Sequence, residues 1–151
     1  MAGIIDNTPA TRRDLKLFSE TFATTAGKMA ADKGVKIARQ AIEIFYSSYG
    51  PSIYRRTDNL KNNSYERYYK NNGNKVYGGV VISSNKMAEY QYGTWSAAKV
   101  ASSTWAGGAH GNVHTYPPLS IAEMQFGSVR SAILASAFNT AKNIGYATLT
   151  F

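Results

Sequence analysis

The sequence predicts an α+β fold of one domain, and three features predict it. Helical spacing of apolar residues fills the first third of the chain. Short strand-like runs, separated by turn residues, follow it. Helical spacing then returns before the C-terminus.

Residues 1–10 have no period and read as an N-terminal arm, leaving 11–151 as a single domain. Thr11 with Asp14 three positions on is a capping arrangement. Leu15, Phe18, Phe22, Ala26, Met29, Ala30, Ile37, Ala41, Ile44 and Phe45 then recur at helical spacing. They predict a long helix over 11–49 with one buried stripe. Gly27 and Gly34 weaken its middle, each by up to about 1 kcal/mol relative to Ala, so a break near Gly34 competes with one unbroken helix. Gly50 and Pro51 stop it.

Residues 51–64 carry turn chemistry and read as a structured loop. Tyr65–Lys70 starts a sheet, Asn71–Asn74 turns the chain, and Lys75–Ser83 is rich in Val and Ile. Met87–Tyr92 reads as a third strand, completing an antiparallel sheet over 65–92 with one face on the helix. Residues 93–118 hold Gly93, Gly107, Gly108, Gly111, Pro117 and Pro118 and read as a long irregular loop containing Trp95 and Trp105. Ser120 with Glu123 is a second capping box, opening a helix over 120–143. Tyr146–Phe151 alternates and reads as a last strand closing the sheet.

Composition narrows the class. At 151 residues, 44% hydrophobic and 17% charged, the chain is globular rather than disordered. Eleven tyrosines offer apolar bodies with polar tips, which suit contact surfaces. The net charge of +8 permits contact with nucleic acid or an acidic protein surface. The absence of Cys excludes disulfides and thiolate metal sites. There is no signal-peptide pattern at the N-terminus and no apolar run near the roughly 18 residues of a membrane span. The expectation is a soluble protein made in the host cytoplasm, with no membrane partner.

Conventional catalytic motifs are missing. His110 and His114 have the spacing of a zinc pair, but Gly107, Gly108 and Gly111 work against the helix that would align them, and no acidic residue lies close by. The reading is two loop histidines and no metal. Glu89 stands alone in its run and reads as an ion-pair partner rather than a base. There is no nucleophile elbow, phosphate loop or dinucleotide fingerprint. The expectation is a protein that is not an enzyme and has no catalytic or cofactor-binding residues.

A basic cluster is the stronger signal. Arg55, Arg56, Lys61, Arg67, Lys70 and Lys75 lie among Tyr54, Tyr65, Tyr68 and Tyr69, opposed only by Asp58 and Glu66. Cations between aromatic faces are what single-stranded nucleic acid sites use. A solvated sheet face, or a contact with an acidic subunit, uses the same residues. Trp95 and Trp105 read equally as contact anchors and as pins holding their loop to its own core.

Tyr54, Arg55, Arg56, Thr57, Asp58, Asn59 and Leu60, placed after a helix, resemble the Arg-Thr-Gly-x-Leu segment of the small neck proteins of long-tailed bacteriophages. These are called head–tail connector, head–tail joining or tail-completion proteins. In that family strands follow, and then Tyr-Ala-x-x-x-Glu-x-Gly-Thr. Met87, Ala88, Glu89, Tyr90, Gln91, Tyr92, Gly93 and Thr94 occupy the corresponding place here. The similarity covers roughly residues 41–94. Asp58 stands where Gly is usual and tolerates the left-handed turn; Gln91 replaces Glu, and 95–118 has no counterpart.

The resemblance implies a virion structural protein without catalysis, located at the head–tail junction. It would form a sixfold ring of identical copies between portal or adaptor proteins and the tail tube or tail terminator. The ring leaves a channel through which DNA passes. It further implies that Tyr54, Arg55, Arg56, Thr57, Leu60, Lys61, Tyr92, Gly93, Thr94, Trp95 and Trp105 touch neighbouring subunits. The alternative left by the basic cluster is a small nucleic-acid-binding protein accessory to packaging or replication.

Overall fold

The computed structural model describes residues 9–48, 58–88, 95–107 and 116–145. In chain order these form helix α1 (Pro9–Ser47), short helix α2 (Asn59–Asn63), strands β1 (Tyr65–Asn71) and β2 (Val76–Ile82), helix α3 (Ala97–Gly107) and helix α4 (Pro118–Gly145). The expected α+β architecture of long helix, antiparallel hairpin and later helices is present.

α1 is one unbroken helix of 39 residues, about 58 Å long. It opens at Pro9, two residues ahead of the expected Thr11 cap, because Pro has no N–H to lose in a first turn and its φ already suits the helix. Near the C-terminal end, the Ser47 hydroxyl donates to the Ile44 carbonyl at 2.8 Å and the Ser48 hydroxyl to the Phe45 carbonyl at 2.5 Å. No break occurs at Gly34, because both helix glycines carry the hairpin. A Cβ at Gly34 would lie 3.2 Å from the Gly79 backbone, and one at Gly27 would lie 2.5 Å from the Val76 side chain. On the strand side, a Cβ at Gly78 would fall on the Gly27 carbonyl. Helix and strand backbones touch, and only glycine permits that approach.

β1 and β2 pair antiparallel in the register Tyr65↔Ile82 to Asn71↔Val76. Gly73 takes φ 79° in the turn, and its N–H donates to the Asn71 side chain at 2.9 Å. The expected third strand does not form in its described part. Met87 closes a turn, its N–H donating to the Ser84 carbonyl at 2.9 Å, and its side chain is buried; residues 89–92 lie outside the described residues. The sheet among the described residues is therefore two-stranded.

The expected loop over 93–118 is corrected most. Ala97, Val100, Ala101, Thr104 and Trp105 recur at helical spacing and are the buried face of α3. Ser96 caps it, accepting from the Lys99 N–H at 3.2 Å. α4 begins at Pro118 rather than Ser120, again with Pro in the first turn, and the Ile121 N–H donates to the Pro117 carbonyl at 3.2 Å. It runs past Asn143 to Gly145. The arm over residues 1–8, the histidines and the last strand over 146–151 lie outside the described residues.

The core sits at one end of α1. Ile37, Ala38, Ala41, Ile42 and Phe45 pack with Leu60, Met87, the buried face of α3 and Ala122 of α4. α4 runs antiparallel to α1. Ala122 joins the core near Ala38, Arg130 faces the groove shared with Ala26 and Ala30, and Phe138 meets Phe18 edge-on at 5.5 Å.

Gly78→Val should destabilise the fold by about 3 kcal/mol or more, because its side chain must push β2 off Gly27. Urea unfolding of the purified variant measures this. An unchanged midpoint would mean that the two backbones do not touch.

Candidate functional site

The corner after α1 is built from its own short-range bonds. Asp58 takes φ 56° and ψ 4°, the left-handed conformation expected where Asp replaces Gly. The Asn62 N–H donates to the Asp58 carbonyl at 2.9 Å, giving the single turn of α2. Asn59 then holds the segment after the hairpin. Its amide donates to the Ala88 carbonyl at 2.9 Å, and its carbonyl accepts from the Ala88 N–H at 3.2 Å. Sequence reading gave Asn59 no such role, and its only signal was an amide side chain able to imitate a strand partner.

Four of the expected contact residues lie among the described ones: Leu60, Lys61, Trp95 and Trp105. Two of them are corrected. Leu60 is buried among the core side chains. Trp105 is only 1% exposed, its indole N–H donates to the Ser64 hydroxyl at 2.8 Å, and its ring meets Tyr65 edge-on at 5.8 Å. Both side chains turn inward because the corner closes over the end of α1, so neither offers a surface to a neighbour. Trp105 is a pin to the chain's own core. Lys61 reaches Glu43 at 3.5 Å, a carboxylate shared with Arg39. Trp95 is exposed, with the Lys99 ammonium 4.6 Å from its ring centre. Tyr54, Arg55, Arg56, Thr57, Tyr92, Gly93 and Thr94 lie outside the described residues.

The basic cluster divides. Arg67 points to α1 and meets Asp32 at 2.7 Å. Glu66 accepts from the Ser83 hydroxyl at 2.6 Å and pairs with Lys86 at 3.6 Å. The Ser83 hydrogen bond, helped by Lys86, holds the Glu66 carboxyl below the usual carboxylate range. Burial pushes the Tyr65 phenol up, with Arg39 drawing it partly back. Tyr68, Lys70 and Tyr77 occupy the hairpin face turned away from α1 and are exposed.

A second surface lies at the far end of α1. From Pro9 to Ala26 no residue is buried, although the apolar period is kept. Leu15 and Leu17 are exposed beside Phe18, which stacks on Phe22 at 6.3 Å and meets Phe138. On α4, Ile133, Ala137 and Ala141 turn inward, while Met124, Leu134 and Phe138 face solvent. This corrects the expectation that one continuous stripe is buried. The hairpin tip reaches α1 at Gly27, so beyond it α1 and α4 form a two-helix arm with no third described layer.

Among the described residues, no three His, Asp or Glu side chains converge, and no helix is long and apolar enough to cross a membrane. What the arrangement offers is contact surface. Comparison with protein-family models, curated proteins and solved structures finds no match to this chain.

Ser64→Ala should cost about 1–3 kcal/mol, because it leaves the buried Trp105 N–H without a partner. Trp105→Phe in the same chain should then add less than it does alone. Chemical unfolding of the two single variants and the double variant reads that coupling.

Proposed function

We propose that this chain is a structural subunit of the neck of a long-tailed bacteriophage particle. Copies of it close into a ring, sixfold in the family it resembles, between the portal or adaptor proteins and the tail tube or tail terminator. The ring leaves a channel for DNA. In this reading the protein does no chemistry, and its work is to hold and be held.

One observation carries the assembly half of the reading: the uncovered apolar stripe of the two-helix arm. Leu15 is 49% exposed and Phe138 50%, at positions whose spacing is that of a buried face. A helix pair buries its stripe against another layer, and no described element of this chain supplies that layer. Extended apolar surface of this kind marks a contact site. α4 reinforces the point, with Glu123, Arg130 and Lys142 its only charged residues over 28 positions.

The identity of the assembly draws on the similarity of residues 54–60 and 87–94 to the neck family. The left-handed turn at Asp58 is compatible with it. Leu60 and Trp105 no longer serve as contacts in this reading, and the arm takes their place. Subunits that join through different patches on each side form rings when the rotation closes.

Sedimentation and negative-stain imaging test the proposal, on the protein alone and mixed with the portal and tail-tube proteins encoded beside it. Rings are expected in the mixture at least. Leu15→Glu with Phe138→Glu should keep the helical circular dichroism signal and lose assembly, since both side chains already face water. A protein that stays monomeric in every mixture and is missing from purified particles would overturn the reading.

A further inference from the structure

We infer that the solvent face of the hairpin is a binding platform for single-stranded nucleic acid, with Tyr68 and Tyr77 stacking bases and Lys70 meeting the phosphate backbone. The inference goes beyond the neck reading and does not rest on it.

Register defines the platform. Tyr69 and Gly78 face α1, so their neighbours Tyr68, Lys70, Tyr77 and Gly79 face the other way. Lys70 stands directly opposite Tyr77, and Gly79 directly opposite Tyr68. Tyr68 and Tyr77 are then diagonal neighbours on one face, about 7–8 Å apart along the backbone. They are 43% and 44% exposed. That separation suits successive bases of an extended strand, each lying on its own ring. Gly79 keeps the flank of Tyr68 clear, because a Cβ there would meet nothing within 4 Å.

Charge complementarity selects the occupant. Lys70 and, in the turn, Lys75 have no ion pair among the described residues, while the one acid of the hairpin, Glu66, is taken up by Ser83 and Lys86. The face thus presents free cations beside uncovered aromatic rings, on a chain of net charge +8. Stacking rings with lysine between them is the chemistry of sequence-tolerant single-strand sites. A duplex, whose bases are already stacked, engages only the lysines.

Gly79 also supplies the sharpest test. In an extended strand with open space above it, Val at this position favours the sheet and covers the flank of Tyr68. Gly79→Val should therefore raise the thermal midpoint while weakening binding of a labelled oligothymidylate of about 15 nucleotides roughly tenfold. Tyr68→Ala with Tyr77→Ala should weaken it about tenfold or more, and the paired Phe substitutions should restore it. Lys70→Gln should reduce the steepness of the salt dependence by about 0.7. Fluorescence anisotropy at about 50 mM salt reads all of these, with a duplex of equal length alongside.

No binding of the oligothymidylate at that salt would overturn the inference. So would duplex binding of equal strength that the Tyr and Gly79 variants leave untouched, or Tyr variants that change only self-association. None of these results bears on ring formation, which sedimentation reads separately.

Discussion

The fold depends on a contact between two backbones. Gly27 on α1 and Gly78 on β2 touch without side chains between them, and Gly34 repeats the approach beside Gly79 and Val80. Each glycine in the helix interior costs up to about 1 kcal/mol of helix propensity. That cost is offset by the packing it allows, because the hairpin lies flat along α1 only if nothing projects between them. A two-stranded hairpin is marginal by itself in water. Laid on α1 and anchored at its base by Tyr65 against Trp105, it becomes part of the core.

That packing also decides what is left over. The hairpin, α2 and α3 gather at the C-terminal half of α1, where Phe45, Ile42 and Trp105 are fully enclosed. The N-terminal half receives only α4. Two helices share one line of contact, so each has apolar residues that the other does not reach. Leu15, Leu17, Leu134 and Phe138 stay in water for that geometric reason. The same concentration of covering elements on one side leaves the outer hairpin face open, with Tyr68 and Tyr77 on it. Both proposed surfaces are thus consequences of where the glycines hold the hairpin.

How much of this was legible in the sequence depends on the range of the interaction. The turn at Asn71–Gly73, the stop after α1 and the left-handed Asp58 are local, and residue type alone announces them. α3 was hidden by its flanks: Gly93 and the Gly107–Gly111 cluster outweighed the helical spacing of Ala97, Val100, Ala101 and Trp105, although that spacing was there to be read. The Ser64–Trp105 bond spans 41 positions and no local pattern points to it. Gly27 and Gly34 read as weaknesses because their partner, β2, is distant in sequence. The apolar stripe of α1 was legible, but its covering was not, since period reports which face is apolar and not what lies against it.

The central claim is that the arm of α1 and α4 is covered by another chain in the working particle. A photoreactive phenylalanine analogue in place of Phe138, irradiated in assembled particles, tests it most directly. Phe138 already meets Phe18 of its own chain, so a crosslink to α1 is expected in the isolated protein. The account predicts additional crosslinks in the particle to residues of a second copy or of an adjoining neck protein. A label that joins only its own α1, equally in the isolated chain and in the particle, would contradict it.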